Sequence, residues 1–241
     1  MPKLTVSAAV CLILLGVGPF SQASATLLGT RLFHYCPQAK QTLTFVPDPS
    51  FGPSVLTTWI DARPQQLLPQ QAQAPFATFP AQLNMPAQGQ QKIVLMYVGP
   101  PEACPKTQEA VYYFYFMESP VKALKQPQPT HYLSMIKLFL RPAHLRNNLK
   151  GGGAQLGIDF DPQTAQFIVH NPSPYHVTIS RWQRASGSAK PLAEPVMVPP
   201  HSSLRHPALR STPLTLGTPI VIHTLDDFGR SHSSSHTLRP H

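Results

Sequence analysis

Apolar residues in this chain come in short blocks, and almost none of them follow a helical period. In Gln41-Thr-Leu-Thr-Phe-Val46, Leu43 and Phe45 alternate with Thr42 and Thr44, the period of a strand with one buried face. Thr26 to His34, Val55 to Ile60, Lys92 to Val98 and Glu109 to Met117 are also strand-like, rich in the β-branched and aromatic residues that pack well on a pleated surface. Proline and glycine breakers separate them at Pro47, Pro49, Gly52 and Pro53, and again at Gly99-Pro-Pro101. Phe76 to Leu83 reads as a short strand interrupted by Pro80, hence an edge. The Gln/Pro/Ala-rich residues 61–75 read as a flexible connection, and Pro120 to Thr130 as a hairpin loop. His131 to Leu140 completes a seventh strand, closed by Arg141-Pro142 because proline gives the ladder no donor. Seven such strands predict an all-β antiparallel sandwich. Trp59 suits the core tryptophan that sandwiches often carry on their third strand, or is ordinary core filling.

The pattern then changes. Arg146 to Gly153 is polar and ends in three glycines, a hinge or loop. Shorter strands follow at Ala154 to Phe160, Gln166 to His170, Tyr175 to Trp182, Pro195 to Val198 and Pro219 to Leu225, a second and smaller β domain. The boundaries expected are 26–145 for the first domain and 146–229 for the second. Residues 230–241 carry no strand signal and are expected to be disordered.

Residues 1–25 read as a secretory signal peptide: Lys3, an apolar run from Val10 to Val17, and a small-x-small cleavage signal at Ala23-Ser-Ala25. That run is too short to cross a bilayer as a helix, so the mature chain is expected to be soluble and exported. It keeps two cysteines, Cys36 and Cys104. In an oxidising compartment two thiols pair more often than they remain apart as inert buried groups.

The balance of 19 Lys and Arg against 10 Asp and Glu makes the chain basic, with a net charge of +9. Its cations are scattered rather than massed, so no nucleic-acid partner is expected. No Gly-x-Ser-x-Gly elbow, His-Glu-x-x-His pair or phosphate-cradling loop is present, and the carboxylates form no catalytic pair. The sequence therefore predicts no enzyme and no cofactor. Eleven histidines include His232-Ser-Ser-Ser-His236, but serines do not enforce the helix that this spacing would need, and no metal site is assigned. What remains is Arg31 and Lys137, two cations embedded in strand-like sequence. If the first and seventh strands are neighbours, both can face one anion, and a guanidinium with an ammonium makes a good carboxylate clamp. Unrelated cations snorkelling to the surface are the alternative.

Six stretches, in order, resemble the periplasmic chaperones of the chaperone–usher pilus pathway. These are Thr30-Arg31 before Leu-Phe; Trp59-Ile60 with Pro75-Phe76; Glu109 ahead of Tyr112-Tyr-Phe114; Lys137-Leu-Phe-Leu-Arg-Pro142; Asn171-Pro-Ser-Pro-Tyr-His-Val-Thr178, with a looser Met197-Val-x-Pro200; and Leu225-Asp-Asp-Phe-Gly229. The resemblance covers nearly the whole mature chain. It implies two immunoglobulin-like sandwiches in a boomerang arrangement. It also implies a periplasmic protein that binds and folds pilus subunits and delivers them to an outer-membrane usher.

By the same resemblance, Arg31 and Lys137 anchor the subunit's C-terminal carboxylate, and Glu109, Arg141 and Asp227 form a charged trio between the domains. The seventh strand is lent to the subunit's incomplete sandwich. Its groove-filling row would be Ile136, Ser134, Tyr132, Thr130 and Gln128, which is less apolar than the family's usual row. Alternation alone does not choose that row over Met135, Leu133 and His131. An exposed donor edge also makes weak self-association of the free protein an expectation. The alternative reading is an exported immunoglobulin-like structural or adhesive module.

Overall fold

The structure, a computed structural model, describes residues 25–27, 29–36, 38, 40–47, 52–65, 68–122, 130–146, 152–187, 190–210 and 213–241. The expected signal peptide, apart from Ala25, lies outside the described residues, as do Gln128 and residues 147–151 of the expected hinge.

Nine strands form the first domain: β1 (Ala25–Leu27), β2 (Arg31–Cys36), β3 (Lys40–Pro47), β4 (Ser54–Asp61), β5 (Phe76–Phe79), β6 (Gln82–Met85), β7 (Gln91–Tyr97), β8 (Ala110–Pro120) and β9 (Tyr132–Pro142). They make two facing sheets, ordered β1-β3-β7-β5 and β2-β9-β8-β4-β6. Leu43, Phe45, Leu56, Ile93, Leu95, Phe114 and Leu138 fill the space between, contributed by alternate positions on each strand. One pair departs from an antiparallel sandwich, because β2 runs parallel to β9.

The chain crosses between the sheets where its backbone is special. Between β1 and β2, Gly29 has a φ of 115°, a conformation that only glycine adopts readily. Between β5 and β6 stands Pro80, after a cis peptide bond. The single edge strand expected over Phe76–Leu83 is therefore two strands. β5 pairs with β7 in one sheet and β6 with β4 in the other, since proline ends the first ladder.

Residues 62–65 and 68–75 do more than connect. Asp61 is fully buried and accepts hydrogen bonds from the backbone N–H groups of Arg63 and Gln73 and from the Arg63 Nε. That pins the segment over the outer face of β4, where Trp59 stacks on Tyr115 at 5.2 Å and the Tyr115 hydroxyl donates to the Arg63 carbonyl. Trp59 is thus buried outside the inter-sheet core, on the side opposite Leu56 and Ile60.

The second domain supplies the core tryptophan instead. Its strands are β10 (Gly157–Asp161), β11 (Gln166–Asn171), β12 (Val177–Arg184), β13 (Val196–Val198), β14 (Ser202–Pro207), β15 (Pro219–Leu225), β16 (Ser231–Thr237) and β17 (Arg239–Pro240). The sheets are β14-β11-β10-β17 and β13-β12-β15-β16. Trp182 is 0% exposed between them and stacks on Phe167 at 4.7 Å.

The expected disorder of residues 230–241 is corrected by β16 and β17. β16 pairs with β15 from Leu225↔Ser231 to Pro219↔Thr237, and β17 runs parallel to β10. β16 is a largely exposed edge strand of serines and histidines held through its main chain. It therefore needs no apolar alternation, and only Leu238 enters the core.

A disulfide joins Cys36, at the end of β2, to Cys104, across 68 residues of sequence. Restricting so long a loop in the unfolded chain is worth roughly 2–4 kcal/mol. Reducing it, or replacing both cysteines by alanine, is expected to lower the denaturant midpoint of the first domain. The second domain's transition should stay unchanged, with tryptophan fluorescence of Trp59 and Trp182 separating the two.

Candidate functional site

β9 has two unequal edges. Along one, β8 pairs from Glu118↔Tyr132 to Ala110↔Leu140. Along the other, β2 pairs only from Arg31↔Lys137 to Cys36↔Pro142. No strand among the described residues covers the outer edge of Leu133–Ile136, which leaves main-chain donors and acceptors for another strand. Leu138 and Leu140 belong to the core and Ile136 packs against it, so Ile136, Ser134 and Tyr132 share the core-facing side. Leu133 and Met135, each 42% exposed, face the other way. Thr130 is exposed just before β9 begins.

Arg31 and Lys137 meet where β2 begins. Partners in the parallel register, they stand on adjacent strands about 4.8 Å apart and share a face with Phe33 and Phe139. Those two rings stack at 5.3 Å, and the Arg31 guanidinium carbon lies 5.7 Å from the Phe139 centroid. Both cations are half-buried. Burial pushes the Lys137 ammonium below its usual range, and the neighbouring Arg31 charge pushes it further. Burial also lowers Arg31, against the pull of Asp227 and Glu109. Among the described residues neither cation has a carboxylate within ion-pair distance. Two adjacent, partly desolvated positive charges without a counter-ion suit an anion that can accept from both.

Two and four residues beyond Lys137 on the same face come Phe139 and Arg141. The Arg141 guanidinium is buried, with its carbon 4.3 Å from the Phe33 centroid and 4.9 Å from that of Tyr175. Its Nε donates to Glu109 Oε2 at 2.6 Å, and its Nη1 and Nη2 donate to Asp227 Oδ2 and Oδ1 at 2.6 and 2.9 Å. Burial alone would lower its pKa, but the hydrogen bonds and charges of Asp227 and Glu109 outweigh it and raise it. Glu109 stands just before β8 and Asp227 comes from the second domain, so the trio bridges the two. Glu109 also accepts from the backbone N–H of His176, whose ring Nδ1 lies 3.1 Å from the same Oε1.

The turn presenting Asp227 is built by Asp226. That buried carboxylate accepts from the backbone N–H groups of Phe228 and Arg230, from the Arg230 Nε and from His232. Gly229 ends the turn with a φ of 76°, and a Cβ there would stand 2.8 Å from the Thr30 hydroxyl. The positive φ favours glycine here, and the absent Cβ lets the turn approach Thr30, the residue before Arg31, without displacing its hydroxyl. Asp226, His176, Tyr175 and the Thr30–Gly229 contact were not singled out from the sequence. The Leu225-Asp-Asp-Phe-Gly229 motif was the available signal for the turn.

Residues 24–146 match the family described as "Pili and flagellar-assembly chaperone, PapD N-terminal domain", and residues 153–236 match "Pili assembly chaperone PapD, C-terminal domain". This chain belongs to the PapD family of pilus-assembly chaperones. Among its relatives is the "Chaperone protein FimB/FhaD" of Bordetella pertussis, 27% identical over 209 residues, which span 83% of this chain and 84% of that one. The crystal structure of the YadV chaperone matches the fold with a TM-score of 0.75 at 24% identity, over 89% of this chain and 100% of that one. The SafB chaperone, solved in complex with the SafA pilin of Salmonella enterica, matches with a TM-score of 0.73 at 18% identity, over 91% and 99% of the two chains.

In this pilus-assembly chaperone the interdomain turn should be acid-sensitive. Burial would raise the Asp226 carboxyl, but the hydrogen bonds from His232, from Arg230 and from the Phe228 N–H outweigh it and hold the group below its ordinary value of 3.8. A depressed carboxyl contributes its full stability above the unfolded value, and that contribution fades as the pH falls below about 4. Asp226→Asn is therefore expected to lower the thermal midpoint at pH 7 and to flatten its fall below about pH 4. Midpoints measured across pH 2–7 for both proteins check this.

Proposed function

We propose that this protein is a non-enzymatic periplasmic chaperone that captures pilus subunits through β9 and the Arg31–Lys137 pair, then passes them to an outer-membrane usher. The observation that carries the reading is the meeting of two features at one point. The paired cations, with no carboxylate at ion-pair distance among the described residues, stand where the uncovered edge of β9 begins. A chain terminus is the one part of a polypeptide that combines a strand's backbone with a free carboxylate. Its carboxylate, seated on Arg31 and Lys137, leaves the preceding residues to run along Leu133–Ile136, parallel to β9.

A subunit that lacks a strand exposes an apolar groove and two unpaired edges, and would aggregate. Backbone pairing with β9 satisfies the edges. Thr130, Tyr132, Ser134 and Ile136 would then enter the groove, and the carboxylate fixes the register, because a one-residue slip would move every side chain to the wrong face. The polar members of this row suit a client groove that is itself more polar than usual. The pilin-bound SafB relative has the same fold and supports the assignment of a pilus subunit as partner.

The test is co-expression of tagged protein with the pilus subunits encoded beside it, with bound species read by intact mass. Wild type should carry one subunit per chaperone. Arg31→Ala/Lys137→Ala should stay folded by circular dichroism and lose capture by roughly 30-fold or more, the equivalent of about 2 kcal/mol for a charge left without its partner. Equal capture by the folded double variant would remove the anchor from the reading. A protein found within the fibre, instead of in a separable complex, would point to a structural or adhesive module.

A further inference from the structure

The outer face of the β14-β11-β10-β17 sheet gathers three side chains that neither the interdomain network nor β9 uses. Asp159, His170 and His241 each place one metal-ligating atom within 4.8 Å of the others. Strand register brings them there. His170 pairs with Gly157 and so sits diagonally from Asp159 on the same face. β17 runs parallel to β10 with Arg239 opposite Asp159 and Pro240 opposite Phe160, and His241 follows just past its end. The His170 Nε2 is 3.0 Å from Asp159 Oδ2, and the His241 Nδ1 is 3.9 Å from the same oxygen. The two imidazoles stack at 6.2 Å.

Zinc held tetrahedrally by nitrogen and oxygen at about 2.0–2.1 Å separates its ligand atoms by roughly 3.3 Å. The spacings here bracket that value, and His241, 46% exposed, has the freedom to close the longer ones. A second feature points the same way. The other ring nitrogen of His170, Nδ1, lies 2.7 Å from Ser203 Oγ, its register neighbour on β14. This partner orients the ring so that Nε2 faces Asp159 Oδ2 and is hydrogen-bonded to it in this structure, and an ion would insert between the two. A hydrogen bond on the second ring nitrogen is the outer-shell arrangement typical of metal-bound histidines. The nearby cations do not claim Asp159: Arg205 lies 3.7 Å from Asp161, and Arg239 makes no ion pair with Asp159 among the described residues.

We propose that Asp159, His170 and His241 bind a divalent first-row transition ion of the zinc type. The fourth position is left for water or an outside ligand, and the ion ties β17 to β10 and β11. Two imidazoles with one carboxylate favour such an ion over magnesium or calcium, which take oxygen ligands. β17 gains most, because its backbone ladder with β10 is only two residue pairs long.

Tag-free protein titrated with zinc chloride in a calorimeter tests this. Wild type should take up one ion per chain, undiminished by excess magnesium. Asp159→Asn, His170→Ala and His241→Ala should each weaken uptake at least tenfold. Ser203→Ala should weaken it by about tenfold, as loss of an outer-shell partner does. Zinc should raise the thermal midpoint of wild type and leave that of His241→Ala unmoved, while His144→Ala, exposed and not a member of the cluster, should behave as wild type. No uptake by wild type would overturn the proposal. So would uptake that survives the three ligand substitutions, or that falls equally in His144→Ala.

Discussion

The buried guanidinium of Arg141 is the constraint on which the two-domain arrangement rests. A charge taken out of water is costly unless its donors are met, and no single domain meets them here. Glu109 satisfies one side of the fork and Asp227, from the other domain, satisfies two donors, while Phe33 and Tyr175 bracket the plane. The relative placement of the domains is therefore a condition of solvating one charge. Lys137 lies on the same strand and the same face as Arg141, and the turn carrying Asp227 packs Gly229 against Thr30, beside Arg31. Whatever holds Arg141 also fixes what surrounds the cation pair.

This arrangement divides opposite electrostatic tasks along a few residues of one strand. Arg141 is matched by two acids and its pKa rises, whereas Lys137 and Arg31 are desolvated with no carboxylate at ion-pair distance among the described residues, and theirs fall. The first state is structural and closed. The second leaves two perturbed charges of the kind that cluster at functional sites and also in structural networks.

Much of this was legible in the sequence because it follows from period and proline. Alternation at Leu43 and Phe45 and the apolar blocks of β7, β8 and β9 marked the first sandwich, whereas Arg31 and Lys137 stood out from unrelated surface cations only through the resemblance of Thr30-Arg31 and Lys137-Leu-Phe-Leu-Arg-Pro142 to the pilus chaperones. Other features depend on partners distant along the chain. Trp59 looks like a core residue in isolation, yet it faces outward beneath residues held by Asp61, and Trp182 fills the inter-sheet position. β16 escaped notice because an exposed edge strand of serine and histidine leaves no hydrophobic imprint, its stability lying in main-chain bonds to β15. The facing of the β9 row was equally hidden, since both parities carry apolar residues. Packing of Leu138 and Leu140 decides it.

In the proposed complex the parallel pairing of β2 with β9 would make β2 a mechanical stop. β2 occupies the outer edge of β9 from Lys137 onward, so in the proposed complex an incoming strand would lie in line with β2 and end against it. Such a slot would measure its occupant. At about 3.3 Å per residue, a strand one residue longer could not continue along β9 in the same line, because β2 already pairs with β9 from Lys137 onward. Selection for a chain that ends in the right place would thus operate through length, before any side chain is read.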